Sequence, residues 1–161
     1  MPVQDYIATV NRIISEGVRT EHPFREALSG LLRSAADDAM IINDPGATEH
    51  GNPDIHVIRK HVAVGYVETK PLSFDLDAFE RSEQFNRYLH GFTNLLVTNY
   101  AEFRWYVNHV PECNLSVKVP RGRNGEFHFQ NANARSLERL LCETTRSASA
   151  DNQRAKHTIN H

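Results

Sequence analysis

Long apolar runs are missing from this chain. No stretch of about 18 consecutive apolar residues occurs, so the chain is not expected to cross a membrane as a helix. Cysteine is scarce: Cys113 and Cys142 are the only two. They lie far apart, which speaks against a disulfide framework. Both read as ordinary reduced thiols. No Gly-rich loop suited to cradling phosphate is present, and no Gly-rich cofactor-binding or Asn-Pro-Pro-Tyr-like methyltransferase motif, so the chain is not expected to bind ATP itself. A strong excess of positive charge is lacking too, since the net charge is −2. The opening Met-Pro-Val-Gln-Asp-Tyr has neither a basic segment nor an apolar one behind it, which points to a cytoplasmic protein.

What is there belongs to one ordinary globular domain. The 161 residues are 40% hydrophobic and 24% charged, enough for a single sheet-and-helix core. That domain is expected over residues 1–146. Residues 147–161 are polar and nearly devoid of apolar side chains, as in a disordered tail or a linker. Charge is unevenly spread: residues 1–80 hold 7 Lys+Arg against 13 Asp+Glu, and residues 81–161 hold 11 against 7. The basic half, with Arg81, Arg87, Lys118, Arg121, Arg123, Arg135 and Arg139, offers phosphate contacts or simply a solvated face.

Tyr6, Ile7, Val10, Ile13, Ile14 and Val18 recur at helical spacing and predict a helix over residues 4–19. A second helix is expected after Thr20, with Pro23 in its first turn and Phe24, Ala27, Leu28, Leu31, Leu32 and Ala35 as its core stripe. Met40–Asn43 reads as a strand. A third helix is predicted from Asp75 to about Leu89, with Gly91 as its stop. Asn94–Thr98 and Phe103–Asn108 read as a strand hairpin, Leu115–Val119 as an edge strand, and about Ser136–Thr144 as a last helix. These elements sum to an α/β fold with a central mixed β-sheet flanked by α-helices.

The stretch Gly51–Pro71 carries the candidate chemistry. Two Val- and Ile-rich runs meet at Lys60-His61, as in paired antiparallel strands, and such a turn sets Asp54 opposite Glu68. Side chains alternate along a strand, so Glu68 and Lys70 share a face. Two carboxylates and an ammonium then converge on one patch. A hard divalent cation held by such carboxylates activates water and offsets charge developing on a phosphodiester. The plain alternative is an exposed, salt-bridged strand face beside a loop acid. Nine histidines are present; His22, His50, His56 and His61 flank the patch, but none forms a metal pair, and all read as surface or loop residues.

Several blocks in unbroken order extend the pattern: residues 20–28 (Thr-Glu-His-Pro-Phe-Arg-Glu-Ala-Leu), Gly51-Asn52-Pro53-Asp54, Gly65-Tyr66-Val67-Glu68-Thr69-Lys70, Gln84-Phe85-Asn86-Arg87-Tyr88 and residues 95–106. Over about residues 15–108 the chain resembles the N-terminal nuclease domain of single-chain restriction-modification enzymes of the type ISP and type IIG-like groups, a member of the PD-(D/E)XK superfamily. The resemblance implies a restriction-endonuclease-like fold. It implies that Asp54, Glu68 and the backbone carbonyl of Thr69 bind Mg²⁺, with Mn²⁺ as a substitute, and that Lys70 orients or activates the attacking water. Thr69 stands where this group often has Ala, a change of little expected consequence for a residue that lends its carbonyl.

Glu21 matches a helical acid that completes the metal site or fixes its waters; otherwise it is a first-turn carboxylate favoured by the helix dipole. Gln84 and Tyr88 match the Gln-xxx-Tyr motif of translocating restriction nucleases. They share a helix face, with Gln84 reaching toward water or phosphate. Tyr88, together with the neighbouring Arg87, is a candidate DNA contact; alternatively Tyr88 is a half-buried core aromatic. The implied function is a Mg²⁺-dependent DNA endonuclease module acting on double-stranded DNA, partnered by methyltransferase, ATPase/translocase or target-recognition domains in a longer chain or complex. A repair or recombination nuclease of the same superfamily, or a catalytically silent DNA-binding or scaffold domain, are the alternatives. Intact Asp54, Glu68 and Lys70 speak against the silent one.

Overall fold

The computed structural model describes residues 2–36, 38–120, 127–129 and 135–146. The predicted tail at 147–161 lies outside the described residues, as do Arg121 and Arg123. Two helices open the chain, α1 (Pro2–Ser15) and α2 (Glu21–Ala35), followed by β1 (Met40–Asn43), β2 (Ile55–Arg59) and β3 (Val62–Thr69). Short helices α3 (Leu76–Glu80) and α4 (Glu83–Gly91) lead into β4 (Asn94–Thr98), β5 (Glu102–Val107) and β6 (Val110–Ser116). A small ribbon of β7 (Lys118–Pro120) and β8 (Phe127–Phe129) precedes a helix over residues 135–146, here α5.

The main sheet runs β1-β2-β3-β4-β5-β6. Every pairing is antiparallel except β3 with β4, which is parallel. Chemistry of the connections explains this. Two-residue turns close two of the antiparallel hairpins: Lys60-His61 (φ 49° and 66°) joins β2 to β3, and Asn108-His109 (φ 50° and 69°) joins β5 to β6. Positive φ at both turn positions matches the right-handed strand twist, and Asn accepts it more readily than Lys. A parallel neighbour cannot be reached that way; it needs a crossover, which α3 and α4 supply.

Each face of the sheet is covered. Val3, Tyr6, Ile7 and Val10 of α1, Phe24, Leu28, Leu31 and Leu32 of α2, and Leu137, Leu140 and Leu141 of α5 pack with Ile55, Val57, Val67, Leu96 and Phe103. The alternate residues Leu95, Val97 and Tyr106 pack with Leu76, Phe79, Phe85, Tyr88 and Phe92 of the crossover. With cover on both sides, all five residues of β4 are buried.

Three boundaries differ from the sequence reading. The first helix stops at Ser15 rather than continuing to Arg19, because Gly17 (φ 72°) closes it. The Gly17 N–H donates to the Ile14 carbonyl at 3.1 Å and that of Val18 to the Ile13 carbonyl at 3.3 Å, the paired bonds of a Schellman stop. The single helix expected over 75–89 is two. Ser82 breaks it by capping α4, its Oγ accepting from the Phe85 N–H at 3.1 Å. The last strand of the main sheet begins at Val110, not Leu115. It is an edge strand with Pro111 in it and almost no buried face, so no alternation marks it in the sequence.

Candidate functional site

Strand register builds the patch. Ile55 pairs with Val67, so the next step along each strand brings Asp54 opposite Glu68, as the sequence reading expected. Glu68 in turn lies beside Val97, and Val97 beside Arg104. These residues therefore form one row on the face covered by α3 and α4. The loop leading to Asp54 is held against α4 at Gly51 (φ 124°), where an added Cβ would come within 2.7 Å of Tyr88 Cε1. Only glycine fits such a close approach in that conformation.

Asp54 is fixed from two sides. Its Oδ2 accepts from the Thr69 N–H at 2.8 Å and from the Thr69 hydroxyl at 2.9 Å, while Oδ1 faces Arg25 Nη2 at 3.3 Å. The Thr69 hydroxyl thus gives Asp54 a bond that an alanine there could not make. Glu68 is 5% exposed. Its Oε1 lies 3.5 Å from Lys70 Nζ, and its buried Oε2 has no hydrogen-bond partner among the described residues. Burial foremost, and then the charge of Asp54, push the Glu68 carboxyl up to about 8, against the opposing pull of Lys70.

A polar chain runs outward from this pair. Lys70 Nζ donates to Gln84 Oε1 at 3.3 Å and sits 4.3 Å from the centroid of the Phe79 ring. Gln84 Nε2 donates to the Tyr88 hydroxyl at 3.2 Å. Tyr88 is buried at 1% exposure; its ring belongs to the core and its hydroxyl to Gln84, which leaves no surface of it for DNA. Arg87 is exposed and donates through Nε to the His50 carbonyl at 3.3 Å.

Glu21 joins from the first turn of α2, its Oε1 accepting from the Tyr100 hydroxyl at 3.4 Å. Tyr100 is a member the sequence reading did not single out. It is fully buried with φ 71°, an uncommon conformation for a non-glycine residue. Its carbonyl accepts from the Tyr6 hydroxyl at 2.7 Å. Burial first, with help from the charge of Glu21, pushes its hydroxyl up to about 12, against an opposing pull from Thr69 and Arg25, so it stays a donor. Arg25 is the other missed member, bridging Asp54 and Asp44, each at 3.3 Å. Within the sequence only the positions of both in the resembling blocks marked them. His56, expected on the surface or in a loop, lies in β2 with its ring edge against Tyr66, centroids 4.8 Å apart.

Among the described residues no group of three or more His, Cys, Asp and Glu side chains is arranged to hold a metal ion. Two carboxylates from neighbouring strands, with the Thr69 backbone between Glu68 and Lys70, are a smaller donor set. The unpartnered Glu68 Oε2 supplies a buried oxygen in need of a cation or a proton. Such a set suits a hard cation that keeps several of its waters, as Mg²⁺ does.

No protein-family model matches the chain, and no curated protein matches it. Solved structures do: seven chains match. One, from a cryo-EM structure of a DrdV–DNA complex, superposes with a TM-score of 0.66 at 18% identity over 89% of this chain. This chain spans only 13% of that one's length. At that identity the likeness is one of architecture, and the chain has a mixed α/β, restriction-endonuclease-like fold.

Proposed function

We propose that this chain is a divalent-metal-dependent DNA endonuclease domain of a restriction-modification system. The observation that carries this reading is the row of Asp54 and Glu68 on adjacent strands with Lys70 3.5 Å from Glu68 and one Glu68 oxygen buried without a partner. A structural salt bridge has no need of that last feature. The fold shared with a chain captured in a complex with DNA supports double-stranded DNA as the substrate. The small share of that longer chain supports further domains as partners.

Asp54, Glu68 and the Thr69 carbonyl would hold Mg²⁺, which when bound lowers the pKa of water and offsets charge on a phosphoryl oxygen. Thr69 fixes Asp54 through two short hydrogen bonds, so the carboxylate is aimed before any ligand arrives. Lys70 stands beside Glu68 and presents an ammonium to the charge that grows on phosphate in the transition state. Gln84 holds that ammonium from the other side. Glu21, held by Tyr100, adds a carboxylate at the edge to orient water.

The test pairs calorimetric Mg²⁺ titration with plasmid nicking. Wild type is expected to bind Mg²⁺ and to nick supercoiled DNA, Asp54→Ala to lose both, and Lys70→Ala to lose nicking by about 100-fold or more while keeping the ion. Wild type that binds no divalent cation, or variants that nick as well as wild type, would falsify the assignment.

A further inference from the structure

Resting on that reading of the patch, we infer that Arg25 is a built-in counter-ion for Asp54, which sets how tightly the site holds a divalent cation. Arg25 stands on the second turn of α2 and is 21% exposed at its side chain. Its guanidinium lies between two carboxylates, Nη2 3.3 Å from Asp54 Oδ1 and Nη1 3.3 Å from Asp44 Oδ1. Two functions are open to such a residue. It can aim Asp54, in which case its loss weakens metal binding, or it can neutralise Asp54, in which case its loss strengthens it.

Geometry decides between them. Aim is already supplied by Thr69, whose N–H and hydroxyl hold Oδ2 at 2.8 and 2.9 Å. Both Arg25 contacts are longer than these and longer than the ~2.7–2.9 Å of a tight charge-assisted bond. Arg25 Nε, moreover, is buried with no hydrogen-bond partner among the described residues. Toward Asp54 the guanidinium is therefore held by charge more than by short directed bonds. It occupies the side of Asp54 that Thr69 leaves free, Oδ1, where a cation must also bind or approach. An arginine carries its charge at every working pH, so the competition is permanent. Asp44, 75% exposed, gives the guanidinium a second place to rest when Asp54 takes another cation.

This makes Arg25 a positioning residue that acts on the metal through Asp54 rather than a catalytic one. The experiment is calorimetric Mg²⁺ titration of the full chain at one fixed pH, with wild type, Arg25→Met, Arg25→Gln and Arg25→Lys. Thermal melts check folding of each. Expected is at least about threefold tighter Mg²⁺ binding in both neutral variants, with Arg25→Lys close to wild type. Having two neutral variants keeps the test intact should one fail to fold. Unchanged or weaker Mg²⁺ binding in a folded neutral variant overturns the counter-ion role and returns Arg25 to aiming. Wild type that binds no Mg²⁺ overturns the nuclease reading and this inference together.

Discussion

Glu68 lies on β3 at 5% exposure, with its Oε1 3.5 Å from Lys70 Nζ. That burial has a pH consequence. A carboxyl held at about 8, against an ordinary 4.5, favours the folded state while it is protonated. The contribution is complete below about pH 4.5, shrinks as pH rises, and is gone above about pH 8. Without divalent cation, then, wild type is expected to lose thermal stability between pH 5 and pH 9 by a few kcal/mol at most. Glu68→Gln, which has no proton to lose, should lose less, and its melting curves across that range check it. The same proton must leave when a cation binds. Mg²⁺ titrations at pH 7 in buffers of different ionisation enthalpy should report close to one proton released in wild type. A buffer-independent heat would mean that Glu68 is already ionised.

Elements were legible in proportion to how one-sided they are. The amphipathic α1 and α2 and the buried β3 and β4 carry their periodicity openly. The break between α3 and α4 does not, because Leu76, Phe79, Tyr88 and Leu89 can be spaced along one helix as well as two. Ser82 decides the matter by capping. What the break achieves is the placing of Gln84 in the first turn of α4, within reach of Lys70. The crossover is fixed to the sheet by Arg104 of β5, whose guanidinium reaches Asp77 at 2.8 Å, Glu80 at 3.0 Å and Glu102 at 2.6 Å. Burial alone would lower the pKa of Arg104, and these three carboxylates more than reverse it. Tyr106 adds a hydrogen bond to Glu80. Arg104→Met should cost about 2 kcal/mol in denaturant unfolding, less than for a fully buried cluster because Asp77 and Glu80 are exposed. If α3 does position the site, Lys70 also loses its place over Phe79, and nicking falls more than stability does. A loss confined to stability would make the Arg104 cluster a fold clamp with no reach into the site.

At the scale of the whole molecule, charge is the quantity that bears on DNA. A net charge of −2 over 161 residues is far from that of a protein that holds duplex by itself, since non-specific affinity comes from the number of phosphates neutralised. On the proposed reading, Asp44, Asp54 and Glu68 put negative charge where a phosphate would come, with Arg25 and Lys70 set against them. Duplex binding by the isolated chain is therefore expected to be weak, with a dissociation constant above about 10⁻⁵ M at physiological salt, measurable by fluorescence anisotropy. Nicking should then be limited by encounter, and tethering should relieve it. Fusing the chain through a flexible linker to a sequence-specific DNA-binding module raises the local DNA concentration to about the millimolar range. Nicks should concentrate within linker reach of that module's site, and the Asp54→Ala fusion should bind there without cutting. One centre cuts one strand, so double-strand breaks should stay rare until two sites face each other on the same plasmid. Tight duplex binding by the untethered chain would contradict this view of delivery, because the DNA surface would then have to lie on this domain itself.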